Sequence, residues 1–149
     1  MTVSTPAFGH NTMIPQMYSC KGEGIRPALT ISDIPENTQS LAIIMDDPDA
    51  LNGTFIHWTV WNIPATIQEI SGSVLPEGSV EGENSSGQTA YFPPCPPSGI
   101  HRYRFHVFAL KGKLSLPPGA SREELEKSIT PLILAKAELI GLYSPKQEK

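Results

Sequence analysis

The chain has few of the features that mark specialised protein classes. It contains two cysteines, Cys20 and Cys95, among 149 residues, too few and too far apart to read as a disulfide framework. Free thiols and a cytoplasmic location are the expectation. No Lys/Arg-rich run occurs, and the formal net charge is −4, so no nucleic-acid partner is expected, because phosphate backbones need a clustered basic surface. No apolar stretch approaches the roughly 20 residues of a bilayer-spanning helix. Met1 to Gly9 shows no basic segment followed by an apolar run, so no secretory signal is expected there. HxH, HxxxH and CxxC pairs are missing, which makes a zinc or iron site a weak reading and leaves cofactors unassigned. A GxSxG elbow and a phosphate-binding P-loop are missing too.

Proline and glycine are abundant instead. Fifteen prolines and twelve glycines predict many turns and few long helices in one domain spanning 1–149. Leu41 to Met45 reads as a buried strand that delivers Asp46, Asp47 and Asp49 to a turn stiffened by Pro48. Thr54 to Ile63 reads as a second strand. Strict alternation places Ile56, Trp58, Val60 and Asn62 on one face, with His57 among Phe55, Thr59, Trp61 and Ile63 on the other. Arg102 to Leu110 alternates well and carries His101 and Tyr103 on one face near its start. Glu69 to Thr89 is polar and glycine-rich, either a functional loop or a plain surface excursion. Ser121-Arg122-Glu123-Glu124 is a capping box, followed by a short helix that Pro131 ends. A second helix is predicted over about Leu132 to Ile140, closed by Gly141, with a frayed polar tail after Tyr143. Strands first and short helices last predict a mainly β, two-sheet antiparallel sandwich with short C-terminal helices.

The chemistry concentrates in three blocks: Asp46-Asp47-Pro48-Asp49-Ala50, Phe55-Ile56-His57-Trp58, and Pro93 through Tyr103. Asp47, Asp49, His57, His101 and Tyr103 taken as one pocket combine acceptors, switchable imidazole donors and a phenol. A histidine beside a carboxylate keeps its proton more readily and then donates to phosphate oxygens. Such a pocket suits a phosphate ester bearing an amine, or a simple phosphate, sulfate or carboxylate. Cys95 lies between Pro94 and Pro96, which supply no N–H for an oxyanion hole, so a nucleophilic thiol is not expected. Asp46 reads as an ordinary turn or hydrogen-bonding residue, and His10 and His106 as structural or exposed.

Asp47-Pro48-Asp49-Ala50, His57-Trp58, Cys95-Pro96-Pro97-Ser98-Gly99, His101-Arg102-Tyr103 and the closing Ala137-x-Leu139-x-Gly141-x-Tyr143, in this order, resemble the phosphatidylethanolamine-binding (Raf kinase inhibitor protein-like) family in its bacterial and archaeal branch. Asn84 and Gly87 in the long loop match as well. The resemblance implies a large antiparallel sheet packed on a smaller one and a small anion pocket. Its residues would be Asp47, Asp49, His57, His101 and Tyr103, with Cys95, Pro96 and Pro97 in the wall. It also implies binding of phosphate-type anions or phosphoethanolamine-like head groups without catalysis, a kinase or protease as possible protein partner, and homodimers in prokaryotic relatives. The alternative is a phosphate- or acyl-ester hydrolase using Asp47 and His57. As an inhibitor, the protein would present Glu69 to Thr89 to its partner. The chain departs from the family pattern at Leu51, at Pro93 and at Ser85-Ser86.

Overall fold

The computed structural model describes residues 1–145. The strands are β1 (Thr2–Ser4), β2 (Thr12–Met13), β3 (Leu29–Ser32), β4 (Ser40–Asp47), β5 (Phe55–Pro64), β6 (Glu69–Ile70), β7 (Val80–Glu81), β8 (His101–Leu110) and β9 (Ile133–Tyr143), with one α-helix, α1 (Arg122–Ile129), between β8 and β9. A six-stranded sheet runs β2-β9-β8-β4-β5-β7 and a three-stranded sheet runs β1-β3-β6. All pairings are antiparallel except β2 with β9. The mainly β sandwich predicted from the sequence is therefore the observed architecture. Most of the segment 69–89 is loop, interrupted by β6 and β7. Among the described residues no helix is long and apolar enough to cross a membrane.

The large sheet buries both faces. Its inner face packs on the small sheet through Leu41, Ile43, Met45, Trp58, Val60, Phe105 and Val107. On the outer face, Ala42, Ile44, Trp61 and Leu110 pack against Leu125 and Ile129 of α1. Continuous burial along β4 follows from this two-sided cover. Truncating Trp58 or Trp61, each fully buried, costs about 3–5 kcal/mol.

Strict alternation fails in β5. The β4–β5 ladder shifts register between Met45 and Asp46 and again between Leu41 and Ile43. At the first shift Trp58 and Ile56 face consecutive β4 residues, so His57 is the extra residue of a β-bulge. His57 thus points to the same side as Trp58, not the opposite one. At the second, Asn62 takes φ +57°, a conformation asparagine tolerates better than most residues. Its side chain donates to Leu114 O at 2.9 Å and accepts from Leu114 N at 2.8 Å, which ties the bulge to the loop after β8.

The C-terminal region divides the expectations. Ser121 caps α1 by the predicted box: its hydroxyl accepts from Glu124 N, and the Glu124 carboxylate accepts from Ser121 N. A 3-10 turn over Thr130–Leu132, containing Pro131, ends the helix. The second helix expected over 132–140 is instead the longest strand, β9. Its alanines, lysine, glutamate and leucines favour helix locally, but they also alternate. Ala135, Ala137, Leu139 and Tyr143 contact the inner core, and antiparallel pairing with β8 runs the length of the strand. Gly141 is not a helix cap. A Cβ there would lie 2.6 Å from Ile14 and 2.7 Å from Phe8, so glycine is needed for the close approach of the segment around β2. The frayed tail expected after Tyr143 falls mostly on residues 146–149, which lie outside the described residues.

Candidate functional site

The C-terminal end of β4, the start of β5 and the start of β8 meet at one end of the sandwich. They bring Asp47, His57, His101 and Tyr103 around a cavity of about 150 Å³. The wall opposite is the turn that supplies Phe92, Cys95, Pro96 and Pro97. The predicted residues Asp47, His57, Cys95, Pro96, Pro97, His101 and Tyr103 are therefore gathered in one place.

Both imidazoles are fixed through Nδ1. His101 Nδ1 lies 2.7 Å from Asp47 Oδ2, and the other Asp47 oxygen accepts the Asp49 N–H at 2.8 Å. His57 Nδ1 lies 2.6 Å from the Phe92 carbonyl oxygen, while Phe92 N donates to His57 O at 2.9 Å. The bulge frees the His57 backbone to make this contact and aims its ring into the pocket. Burial pushes the His57 pKa down, although the Phe92 carbonyl and the Asp47 charge oppose the shift. Tyr103 is pushed up, first by burial and then by the charge of Asp47, so its phenol stays protonated. The His57 ring meets Tyr103 edge-on with centroids 5.2 Å apart.

Asp49 stands elsewhere than expected. It does not line the cavity. Its carboxylate accepts from Arg102 N, Nε and Nη2, each at 2.9 Å, and the guanidinium holds its pKa down to about 2. Asp49 thus ties the turn after β4 to the start of β8 and occupies the nearby arginine.

The cysteines correct a second expectation. Cys20 and Cys95 are not free thiols but a disulfide, with Cα atoms 5.4 Å apart across a sequence separation of 75. That Cα distance lies within the bridging range, and Cys20 N also donates to Pro94 O at 3.0 Å. Distance in sequence was the misleading criterion; the fold brings the first loop against the proline turn.

Sequence reasoning set Phe55 on the His57 face and marked Leu51 as a departure from the family pattern, but it missed Phe92. Phe55, Phe92, Ala50 and Leu51 complete the cavity wall. Phe55, two residues before His57, packs on its ring at a centroid distance of 4.8 Å, on the shared face that alternation predicts. Leu51 is 89% exposed and projects at the rim. The loop match at Asn84 has a structural basis: it is buried, donates to Ala90 O, and accepts from Ser86 and Gln88. Ser85 adds a two-way bond to Ile56. Asp46, next to Asp47, faces the opposite side of the sheet and binds Arg104 and His106. Among the described residues no group of three or more His, Cys, Asp or Glu side chains could hold a metal ion.

Comparison with known proteins places this geometry. The family model described as "Phosphatidylethanolamine-binding protein" matches residues 4–144. A protein named "UPF0098 protein" from Methanothermobacter thermautotrophicus is 44% identical over 148 residues, covering 96% of this chain and 98% of the relative. The crystal structure of a "Putative PhosphatidylEthanolamine-Binding Protein (PEBP) Homolog" from Chlamydia trachomatis superposes with a TM-score of 0.92 at 38% identity, covering 96% of each chain. A Mycobacterium tuberculosis relative, 37% identical over 145 residues and covering 96% of this chain and 72% of its own length, is named "Putative lipoprotein LppC". That relative's name overturns the cytoplasmic expectation.

Proposed function

Because the chain belongs to the phosphatidylethanolamine-binding protein family, we propose that its pocket holds a small phosphate-type anion or phospholipid head group, and that it binds without turning it over. The observation that carries this reading is the convergence of two oriented imidazoles and a protonated phenol in one small cavity. A volume of about 150 Å³ suits a head group and not a drug-sized molecule, whose pockets run from roughly 300 Å³ upward. Phe55, Phe92 and Leu51 offer apolar surface to the organic part of an ester. The one sulfur in the wall, that of Cys95, is bonded to Cys20, which supports binding over nucleophilic chemistry.

The test is titration with phosphoethanolamine, followed by histidine ring NMR and calorimetry. The His57→Ala, His101→Ala double variant should bind at least about tenfold more weakly, a loss of roughly 1.4 kcal/mol. Equal affinity of variant and parent would remove the pocket from consideration.

A further inference from the structure

The neighbours of the two histidines decide which ring nitrogen carries the proton. A carbonyl oxygen only accepts, so His57 Nδ1 must donate to Phe92 O. A carboxylate likewise only accepts, so His101 Nδ1 donates to Asp47. A neutral imidazole has one N–H. In both neutral rings, therefore, Nε2 is a lone pair, and neither Nε2 has a protein hydrogen-bond partner among the described residues.

The charges around the rings do not supply what is missing. β4 contributes Asp47, and β8 contributes Tyr103 as a neutral phenol. No lysine or arginine lines the cavity. Arg102, next to His101 in the chain, is bound two-pronged to Asp49. Asp46, Arg104 and His106 form a separate cluster on the other face of the sheet. The proline wall brings no titrating group, since Cys95 is in a disulfide. With both rings neutral the pocket offers two acceptors beside a carboxylate, and its one side-chain hydroxyl, that of Tyr103, interacts with the same Asp47. A fully ionised oxyanion would meet lone pairs and a like charge.

We propose that the pocket binds its anion together with one proton, placed between a ligand oxygen and His101 Nε2. His101 is the seat because only this ring has a carboxylate against its other nitrogen, so that an imidazolium there is compensated. The inference rests on the anion-binding reading above and specifies its ligand class. The pocket selects the singly charged acid form of a phosphomonoester, or takes up a solvent proton with an anion that carries none. Phosphomonoesters lose their second proton near about pH 6, so either source can supply it.

The experiment is calorimetry of the full chain with phenyl phosphate and with phenyl sulfate, which has no proton to give, in two buffers of different ionisation enthalpy. At about pH 7.5 each ligand should bind with uptake of about one proton, and affinity should fall about tenfold per pH unit above that. Binding without proton uptake and with affinity flat from about pH 6 to pH 8.5 would overturn the inference and leave the anion pocket standing. No binding of either ligand even at about pH 5.5 would overturn the anion pocket, and this inference with it.

Discussion

Asp46 and Asp47 sit side by side at the end of β4, one on each face of the large sheet, and each has a histidine within reach. On the outer face Asp46 receives Arg104 Nε at 2.8 Å and Nη2 at 3.0 Å, with His106 Nε2 at 3.4 Å. Burial pushes its pKa up, yet the bonds from His106 and Arg104 outweigh burial and hold it down. Glu138 covers the remaining nitrogen of His106. On the inner face Asp47 receives one backbone N–H and one imidazole, with the Tyr103 phenol interacting beside them, and that imidazole keeps a nitrogen for the cavity. Residue type is the same on both sides. What separates an internal brace from a binding site is hydrogen-bonding capacity left unused and a space beside it.

Four changes would break or sharpen this contrast. The largest effect is expected from Cys20→Ser with Cys95→Ser, because the disulfide staples the pocket wall and no such staple serves the outer face. Loss of a bridge closing a loop of this length costs about 2–4 kcal/mol, readable by urea denaturation. The same change should weaken phosphoethanolamine binding, as the wall carrying Cys95, Pro96 and Pro97 loosens. Asp46→Asn comes next. It leaves Arg104, whose side chain is 29% exposed, without its anion and should cost about 1–2 kcal/mol after allowance for solvent screening, with the dissociation constant unchanged. Asp47→Asn should do the reverse: binding about tenfold weaker and stability within about 1 kcal/mol of the parent. Equal effects of these two variants on binding would erase the contrast. The smallest effect is on stability against pH. His57 has a folded pKa below its ordinary 6.5, so the unfolded chain binds more protons at mildly acid pH. Its contribution is full above about pH 6.5 and is lost as pH falls below that value. Asp49, lowered from 3.8 to about 2, adds a loss between those values. A denaturation midpoint that stays level between pH 7 and pH 5 in the parent but falls in His57→Gln would contradict the assignment.

The local patterns in the sequence identified β4 and β8 because each alternates or runs apolar without defect, and Tyr103 and His101 fall on one face as period two requires. The capping box at Ser121 was legible for the same reason: its signal lies within four residues. The losses all involve distance. β9 reads as helix until β8 is beside it, since its helix-forming residues are overridden by a ladder formed with a strand more than twenty residues earlier. The disulfide joins loops whose separation in sequence argued against pairing. The site residues were identifiable by type and by resemblance, but not their allotment. Nothing in the order Asp47-Pro48-Asp49 tells that one carboxylate holds His101 while the other holds Arg102.

The two bulges of β5 act as frame shifts that cancel. Phe55 and His57 point inward on odd numbers, Trp58 and Val60 on even ones, and Ile63 on odd again. Deleting one residue between the bulges would not trim the strand gently. It would exchange layers for every side chain on one side of the cut, sending either the pocket histidine or the core tryptophan to the wrong face. β5 should therefore tolerate substitution far better than a change in length, and a viable one-residue deletion there would need a compensating insertion within the same strand.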